Sequence, residues 1–315
     1  EKINSPVLIQ TLCRFEQLKN CLESLVRNTN AEKTEVYVAL DYPAKESHRD
    51  GYVKICDYLN HFKGFKQLTV IKREKNFGAF QNLREAKRVV FKTYDRIIIS
   101  EDDNVFSPNF LEYINAGFEK YGKDSNIIAI CGYSYPVKFD YQDNNALRIQ
   151  TNFSAWGFGM WCDLNLDLEK IRNQQFFINI LLSPRLLIKV FKSGIRNVNY
   201  LIDMSNNKTK FWPGDIIYSI YMVTNDKYMI SPVVSKVKNM GWDGSGENKG
   251  LDGVYARQTL DTEMNFEFRG DDAYCFKKNQ KKMIKYYKRS ILFSVRTFLK
   301  LIKWYLLYKF KKNDN

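Results

Sequence analysis

Two histidines and seven prolines are few for 315 residues, and the six cysteines (Cys13, Cys21, Cys56, Cys131, Cys162 and Cys275) include no C-x-x-C pair. Such spacing excludes a zinc site of paired cysteines and histidines. It also argues against a disulfide framework, leaving free thiols in a reducing compartment. No apolar run reaches the roughly 18 residues that a spanning helix needs, and no secretory-signal pattern opens the sequence. It begins at Glu1 rather than Met, so an upstream portion is expected. With 44% apolar and 15% aromatic residues, a disordered or collagen-like chain is excluded. Acid is missing from the C-terminal stretch: residues 277–313 hold 13 Lys or Arg and no Asp or Glu, leaving 36 bases against 35 acids elsewhere. The net charge of +14 therefore belongs to one terminal segment. A nucleic-acid binder carries its charge on the folded domain, so no nucleic-acid partner is expected.

What is present is an alternation of short β-branched runs with amphipathic segments. Val7–Ile9, Val36–Leu40, Leu68–Ile71 and Ile97–Ser100 read as buried strands. Between them, Leu18, Cys21, Leu22 and Leu25 share one helical face, and Tyr52–Phe62 and Phe80–Phe91 also suit helices. This is an α/β pattern, a mostly parallel, Rossmann-like sheet flanked by helices, in which ligands bind beyond the carboxyl ends of the strands. Residues 1–135 form the first half of one domain. Residues 136–276, richer in glycine and aromatics, read as a second half on the same sheet, and 277–315 as a basic tail.

The fourth strand runs straight into Glu101-Asp102-Asp103. Three adjacent carboxylates repel one another unless a cation neutralises them, and hard oxygen ligands suit Mg²⁺ or Mn²⁺ bridging nucleotide phosphates. A solvated acidic turn with Asp as a helix cap is the plainer alternative. Asp41 ends the second strand, Asn76-Phe77-Gly78-Ala79-Phe80-Gln81-Asn82 precedes a helix, and Thr11-Leu12-Cys13-Arg14 follows the first strand.

In this order the motifs resemble the nucleotide-sugar half of a GT-A glycosyltransferase, over roughly residues 5 to 250. The acidic triplet is similar to that of the N-acetylglucosaminyltransferase I family, and the N-x-G-x-x-x-N segment to bacterial family 2 enzymes. The resemblance implies a nucleotide-sugar site of Thr11, Arg14, Asp41, Asn76, Gly78, Asn82, Glu101 and Asp102. Asp41 would accept from the base, Arg14 lie near base or diphosphate, Asp102 lean on the ribose, and Asp103 hold the metal. Asn152–Trp161, with Trp156 and Gly157, resembles the stretch lining sugar and acceptor. Asp215 in Phe211-Trp212-Pro213-Gly214-Asp215 resembles the catalytic base, with Asp261 or Glu263 next in line. The segment 241–248 resembles a closing loop that often reads D-G-S-G-T-H. Here Glu247 and Asn248 replace the last two residues, leaving Asp243 and Ser245 as its contributors.

The implied activity is metal-dependent inverting transfer of a hexosyl or N-acetylhexosaminyl group from a UDP-sugar to a hydroxyl of a glycan or lipid-linked acceptor, in bacterial surface polysaccharide synthesis. A sugar-nucleotide pyrophosphorylase would need a glycine-rich loop where Thr11–Arg14 stands. A non-catalytic carbohydrate-binding or scaffold protein would show no UDP-sugar turnover. On a single helical wheel, Lys278, Lys282, Lys285, Arg289, Arg296, Lys300 and Lys303 fall within about 60°, opposite Ile291, Val295, Phe298, Ile302 and Tyr305, with Trp304 and Tyr308 toward the flank. That pattern predicts an interfacial helix on an anionic membrane surface, holding a cytoplasmic protein at the inner face of the cell membrane. The plainer alternative is a helix docked on the body by its apolar face with its lysines solvated, and the two can coexist.

Overall fold

The computed structural model describes residues 4–143, 146–207, 213–242 and 258–313, with side chains as far as 310. The chain runs β1 (Val7–Thr11), α1 (Phe15–Val26), β2 (Glu35–Leu40), α2 (Arg49–His61), β3 (Gln67–Lys72), α3 (Gly78–Val90), β4 (Arg96–Glu101), β5 (Asn104–Phe106) and α4 (Phe110–Tyr121). It continues with β6 (Ile127–Cys131), β7 (Leu147–Ile149), β8 (Phe158–Trp161), α5 (Cys162–Lys170), α6 (Gln174–Leu182), α7 (Pro184–Ser193), α8 (Ile195–Ser205), α9 (Gly214–Thr224), β9 (Tyr228–Ser231) and β10 (Val237–Asn239). Two further helices, Phe276–Tyr286 and Ile291–Asn313, close the chain.

The four strands expected from the apolar runs join four more in one eight-stranded sheet, ordered β3-β2-β1-β4-β8-β6-β9-β7. From β3 to β4 the pairing is parallel, and Val7, Leu8 and Ile9 of β1 are completely buried, as a strand covered on both faces requires. β8 then runs antiparallel between β4 and β6, so the second half of the chain extends the same sheet. The glycine-rich stretch thus ends in a core strand, with Phe153, Phe158 and Met160 buried. In α1, Leu18, Cys21, Leu22 and Leu25 are all fully buried, the face their spacing predicts.

A second core lies between α6, α7, α8 and α9, around Phe177, Leu181, Val198, Leu201, Ile202 and Ile220. Its helix starts are locally encoded: the Asn173 Oδ1 accepts from the Phe176 N–H at 2.9 Å, and Ser183 caps α7 ahead of Pro184. Leu301 and Trp304 of the last helix are buried in this second core.

The tail departs from the single wheel. Residues 287–290 interrupt it, and the Ser290 Oγ accepts from the Phe293 N–H at 3.2 Å, capping a new helix. The helix Phe276–Tyr286 is built into the fold. Met283 is fully buried, Gln280 accepts from the Gln150 N–H, and Lys278 and Lys282 both pair with Asp140. Lys300 pairs with Asp203 at 2.7 Å. Three bases of the expected membrane-facing sector are therefore held by the protein itself.

The segment after residue 258 crosses α4, where Phe266 and Phe268 meet Tyr113 at ring separations of 4.8 and 5.4 Å. It is fastened by an ion pair between Asp261 and Lys236, whose side chain is 2% exposed and lies over the Phe266 ring. Burial lowers the Lys236 pKa, against the pull of Asp261. Breaking a buried pair leaves one uncompensated charge, so Lys236→Met is expected to cost about 3–5 kcal/mol of stability. Urea unfolding measures this, and adding Asp261→Asn is expected to recover part of the loss. An unchanged midpoint in Lys236→Met would show that the pair contributes nothing net.

Candidate functional site

The acidic triplet sits where β4 ends beside β1, and both strands deliver side chains to one spot. Thr11, last in β1, donates its hydroxyl to Asp102 Oδ2 at 2.7 Å. Arg14, just ahead of α1, reaches both acids: it pairs with Asp102, and its Nη1 lies 2.9 Å from Asp103 Oδ2. Burial pushes the Asp102 carboxyl up to about 6, against the pull of Arg14. Burial, with Asp103, Asp102 and Asp215 nearby, pushes the half-buried Glu101 up to about 8. The repulsion among the three is therefore relieved in two ways: a guanidinium lies between Asp102 and Asp103, and burial with the neighbouring acids favours the neutral form of Glu101.

The sequence reading missed Asn239. β10 pairs antiparallel with β5, setting Asn239 opposite Asn104, and Asn239 Nδ2 donates to Asp103 Oδ1 at 2.8 Å. The Met240 N–H bonds to the Asp103 carbonyl at 2.7 Å. At Gly241 an added Cβ would lie 2.2 Å from Asp103 Oδ2, so only glycine lets the chain pass this close to the acid. Nothing local distinguishes Asn239, whose role depends on a pairing across more than 130 residues.

Asp41 is 3% exposed and organises the neighbouring loop. Its oxygens accept from the N–H groups of Tyr42, Phe77 and Gly78 at 2.8–2.9 Å and from Asn76 Nδ2 at 3.2 Å. Four bonds fill the acceptor capacity of a carboxylate. Asp41 thus fixes the loop's shape, and direct acceptance from a base would displace one of these partners. Gly78 has φ +74°, the left-handed region, and open space where a Cβ would stand.

Asp215 lies in the first turn of α9. Burial raises its pKa, while Arg196 of α8 and the N–H groups at the helix start pull it down. Its charge is felt at both Glu101 and Tyr135, so the start of α9 lies within electrostatic reach of the acidic end of β4. Ser219 Oγ donates to the Asp215 carbonyl at 2.7 Å and accepts from the Phe153 N–H at 2.8 Å, tying the helix start to the stretch before β8. Arg196 was also missed in the sequence. It stacks over Tyr287 at 4.8 Å, linking Asp215 to the chain between the last two helices.

Trp156 stands edge-on to Tyr133 at 4.7 Å and to Trp242 at 6.3 Å, an aromatic group beside the loop that holds Asp103.

Three expectations are corrected. Asn82 is 1% exposed, its Nδ2 donating to the Ala39 carbonyl and its Oδ1 accepting from Arg73, so its side chain is spent on clamping α3 to β2. Gly157 is buried against Val237, Phe110 and Phe106, and backs the site as a packing residue. Asp261 belongs to the ion pair with Lys236, and Glu263 follows on the same exposed turn. Asp243 and Ser245 of the expected closing loop, and Phe211 and Trp212, lie outside the described residues.

Among the described residues no group of three or more His, Cys, Asp or Glu is arranged to hold a metal ion. One or two carboxylates are what Mg²⁺ or Mn²⁺ takes from a protein when phosphates supply the other ligands. The Asp102–Asp103 pair, already bridging the cationic Arg14, fits that smaller donor set. A cavity of about 250 Å³ lined by Asn4, Thr29, Leu111 and Phe266 lies toward the amino end of β1 and shares no residue with this cluster.

Comparison with known proteins gives this arrangement a family. No curated protein matches the sequence. Among solved structures, the chain is similar to S. aureus TarS 1-349 (15% identity, 52% of this chain and 49% of that one, TM-score 0.36). It is also similar to the mannosyltransferase PcManGT from Pyrobaculum calidifontis, in complex with GDP-Man and Mn²⁺ (12%, 71% and 70%, 0.38). A third likeness is to GalNAc-T7 with UDP, GalNAc and Mn²⁺ (14%, 82% and 48%, 0.46). The chain spans about half the length of the TarS structure. The model of "Glycosyl transferase family 2" matches residues 7–180, more than half of the chain, from β1 through the acidic triplet into α6. The strand-end acids and seven of the eight strands of the sheet that carries them thus stand within the matched segment, and the protein belongs to glycosyl transferase family 2.

Proposed function

We propose that this chain is an inverting, metal-dependent glycosyltransferase that moves a hexosyl or N-acetylhexosaminyl group from a UDP-sugar to a hydroxyl of a glycan or lipid-linked acceptor. Its place would be surface polysaccharide synthesis in a bacterium, on the inner face of the cell membrane. The observation that carries the reading is the convergence of Asp215, at the start of α9, on the acidic end of β4, where Arg14 and Asn239 hold Asp103.

Asp215 takes the proton from the acceptor hydroxyl as it attacks the anomeric carbon from the face opposite the leaving diphosphate. Asp103, with Asp102 beside it, would hold Mn²⁺ or Mg²⁺, which would supply charge neutralisation for the departing diphosphate. Arg14, paired with both acids, is the cation placed to meet the diphosphate beside them. Thr11 keeps Asp102 oriented toward the ribose. Asp41 acts through the Asn76–Gly78 loop, whose open side at Gly78 admits the base. UDP follows from the motif resemblance, as do Asp243 and Ser245 as closing-loop contributors.

Melting the protein against a panel of nucleotide sugars, with Mn²⁺ or with EDTA, tests the reading. One UDP-sugar is expected to stabilise the fold in a metal-dependent way, by about 2.7 kcal/mol at a hundred times its Kd. No stabilisation by any UDP-sugar in Mn²⁺ would overturn it.

A further inference from the structure

The last helix, Ile291–Asn313, has three sides. One is docked: Thr297, Leu301 and Trp304 are 2–5% exposed, and Tyr305 and Tyr308 pack against the same second core. A second is apolar and bare: Ile291, Val295, Phe298, Leu299, Ile302 and Leu306 are 44–83% exposed, and with the equally exposed Leu292 and Phe310 they span an arc of roughly 120° on the helix. Lys303 and Arg296 border that arc on the third, exposed flank, roughly 20–40° beyond its edge at Leu292 and Phe310, with the exposed Leu307 just past them. Folded proteins seldom leave so continuous an apolar stripe in water without a use for it.

We propose that this stripe is a membrane-inserting surface: the last helix lies flat in an anionic bilayer, its apolar arc among the acyl chains and its basic flank at the headgroups. Charge selects this occupant. From Lys277 to Lys312 there is no acid, so a second copy of the helix would bring bases against bases, whereas anionic lipid complements them. Among the described residues no helix is long and apolar enough to cross a membrane, and one side of this helix is taken up by the protein, so it rests in the interface. Lys309 falls within the arc near its end, where its long stem lets the ammonium reach the headgroups. Lys278, Lys282 and Lys300, committed to Asp140 and Asp203, take no part. The proposal deepens the inner-membrane part of the functional reading, on which its orientation relative to a lipid-linked acceptor rests. Its failure would leave the chemistry proposed for Asp103 and Asp215 standing.

Flotation of the full chain with phosphatidylcholine vesicles, with and without phosphatidylglycerol, tests it. The wild type is expected to float with the anionic vesicles and to be retained in part at high salt, because insertion is apolar. Val295→Asp with Phe298→Asp, at positions already half exposed, is expected to weaken partitioning by roughly tenfold or more while leaving the melting temperature unchanged. Leu299→Ser with Ile302→Ser repeats the test without added charge and is expected to act in the same direction. Replacing Arg296 and Lys303 by Gln is expected to cost about fivefold per charge at low salt and little at high salt. Wild-type protein that stays unbound, or stripe variants that float as well as wild type, would overturn the proposal. So would a dimer in solution that the stripe variants dissociate without any lipid binding.

Discussion

Replacing Asp215 with Asn is expected to slow glycosyl transfer by about 10²–10⁴-fold while leaving nucleotide binding and melting temperature close to wild type. The substitution is nearly isosteric, and the bond holding the start of α9, from Ser219 Oγ to the 215 carbonyl, uses the backbone and survives it. The pH profile adds a sign. A general base works only when ionised, and burial raises the Asp215 pKa, so the acidic limb of the rate profile should lie above the usual aspartate range. Arg196 works against burial here. Arg196→Gln should therefore move that limb to still higher pH, a shift that a merely structural role would not produce. Undiminished transfer by Asp215→Asn would remove it from the reaction.

The second large effect concerns Asp103. In Asp103→Asn, metal-supported nucleotide binding is expected to fall by about 10²-fold or more, the equivalent of roughly 3 kcal/mol. The protein itself should lose only about 1 kcal/mol of stability. The surroundings set both figures. A bare acidic triplet would gain stability on losing a charge, but Asp103 is compensated by Arg14 and Asn239. An Asn here keeps an oxygen for Asn239 Nδ2 and turns a donor toward Arg14, which retains Asp102. Stabilisation by UDP in Mn²⁺, compared between the two proteins, reads the loss. Equal stabilisation would move the metal away from Asp103.

The parts legible in the sequence were those fixed by local periodicity. Val7–Ile9 and Ile97–Ser100 announce strands covered on both faces because their apolar runs are continuous, and the acids that follow Ser100 had to emerge at a carboxyl edge. Asn82 misled because a polar residue near a helix start looks the same whether it faces solvent or clamps a strand carbonyl. Asn239 was invisible because its partner depends on the β5–β10 pairing. The tail reads as one helix because neither proline nor glycine marks residues 287–290, yet Ser290, three residues before Phe293, carries the capping signal. Once that break exists, the two halves turn independently, and the lysines of the first half meet Asp140.

Calorimetric titration of UDP into the wild-type protein, first with Mn²⁺ and then with EDTA, tests the central claim most directly. The account predicts saturable binding of one UDP per chain in Mn²⁺ that is weakened about 10²-fold or more by EDTA, the same size of loss as in Asp103→Asn. Binding of equal strength in both, or no UDP binding in either, would contradict a metal-dependent nucleotide-sugar site at the acidic end of β4.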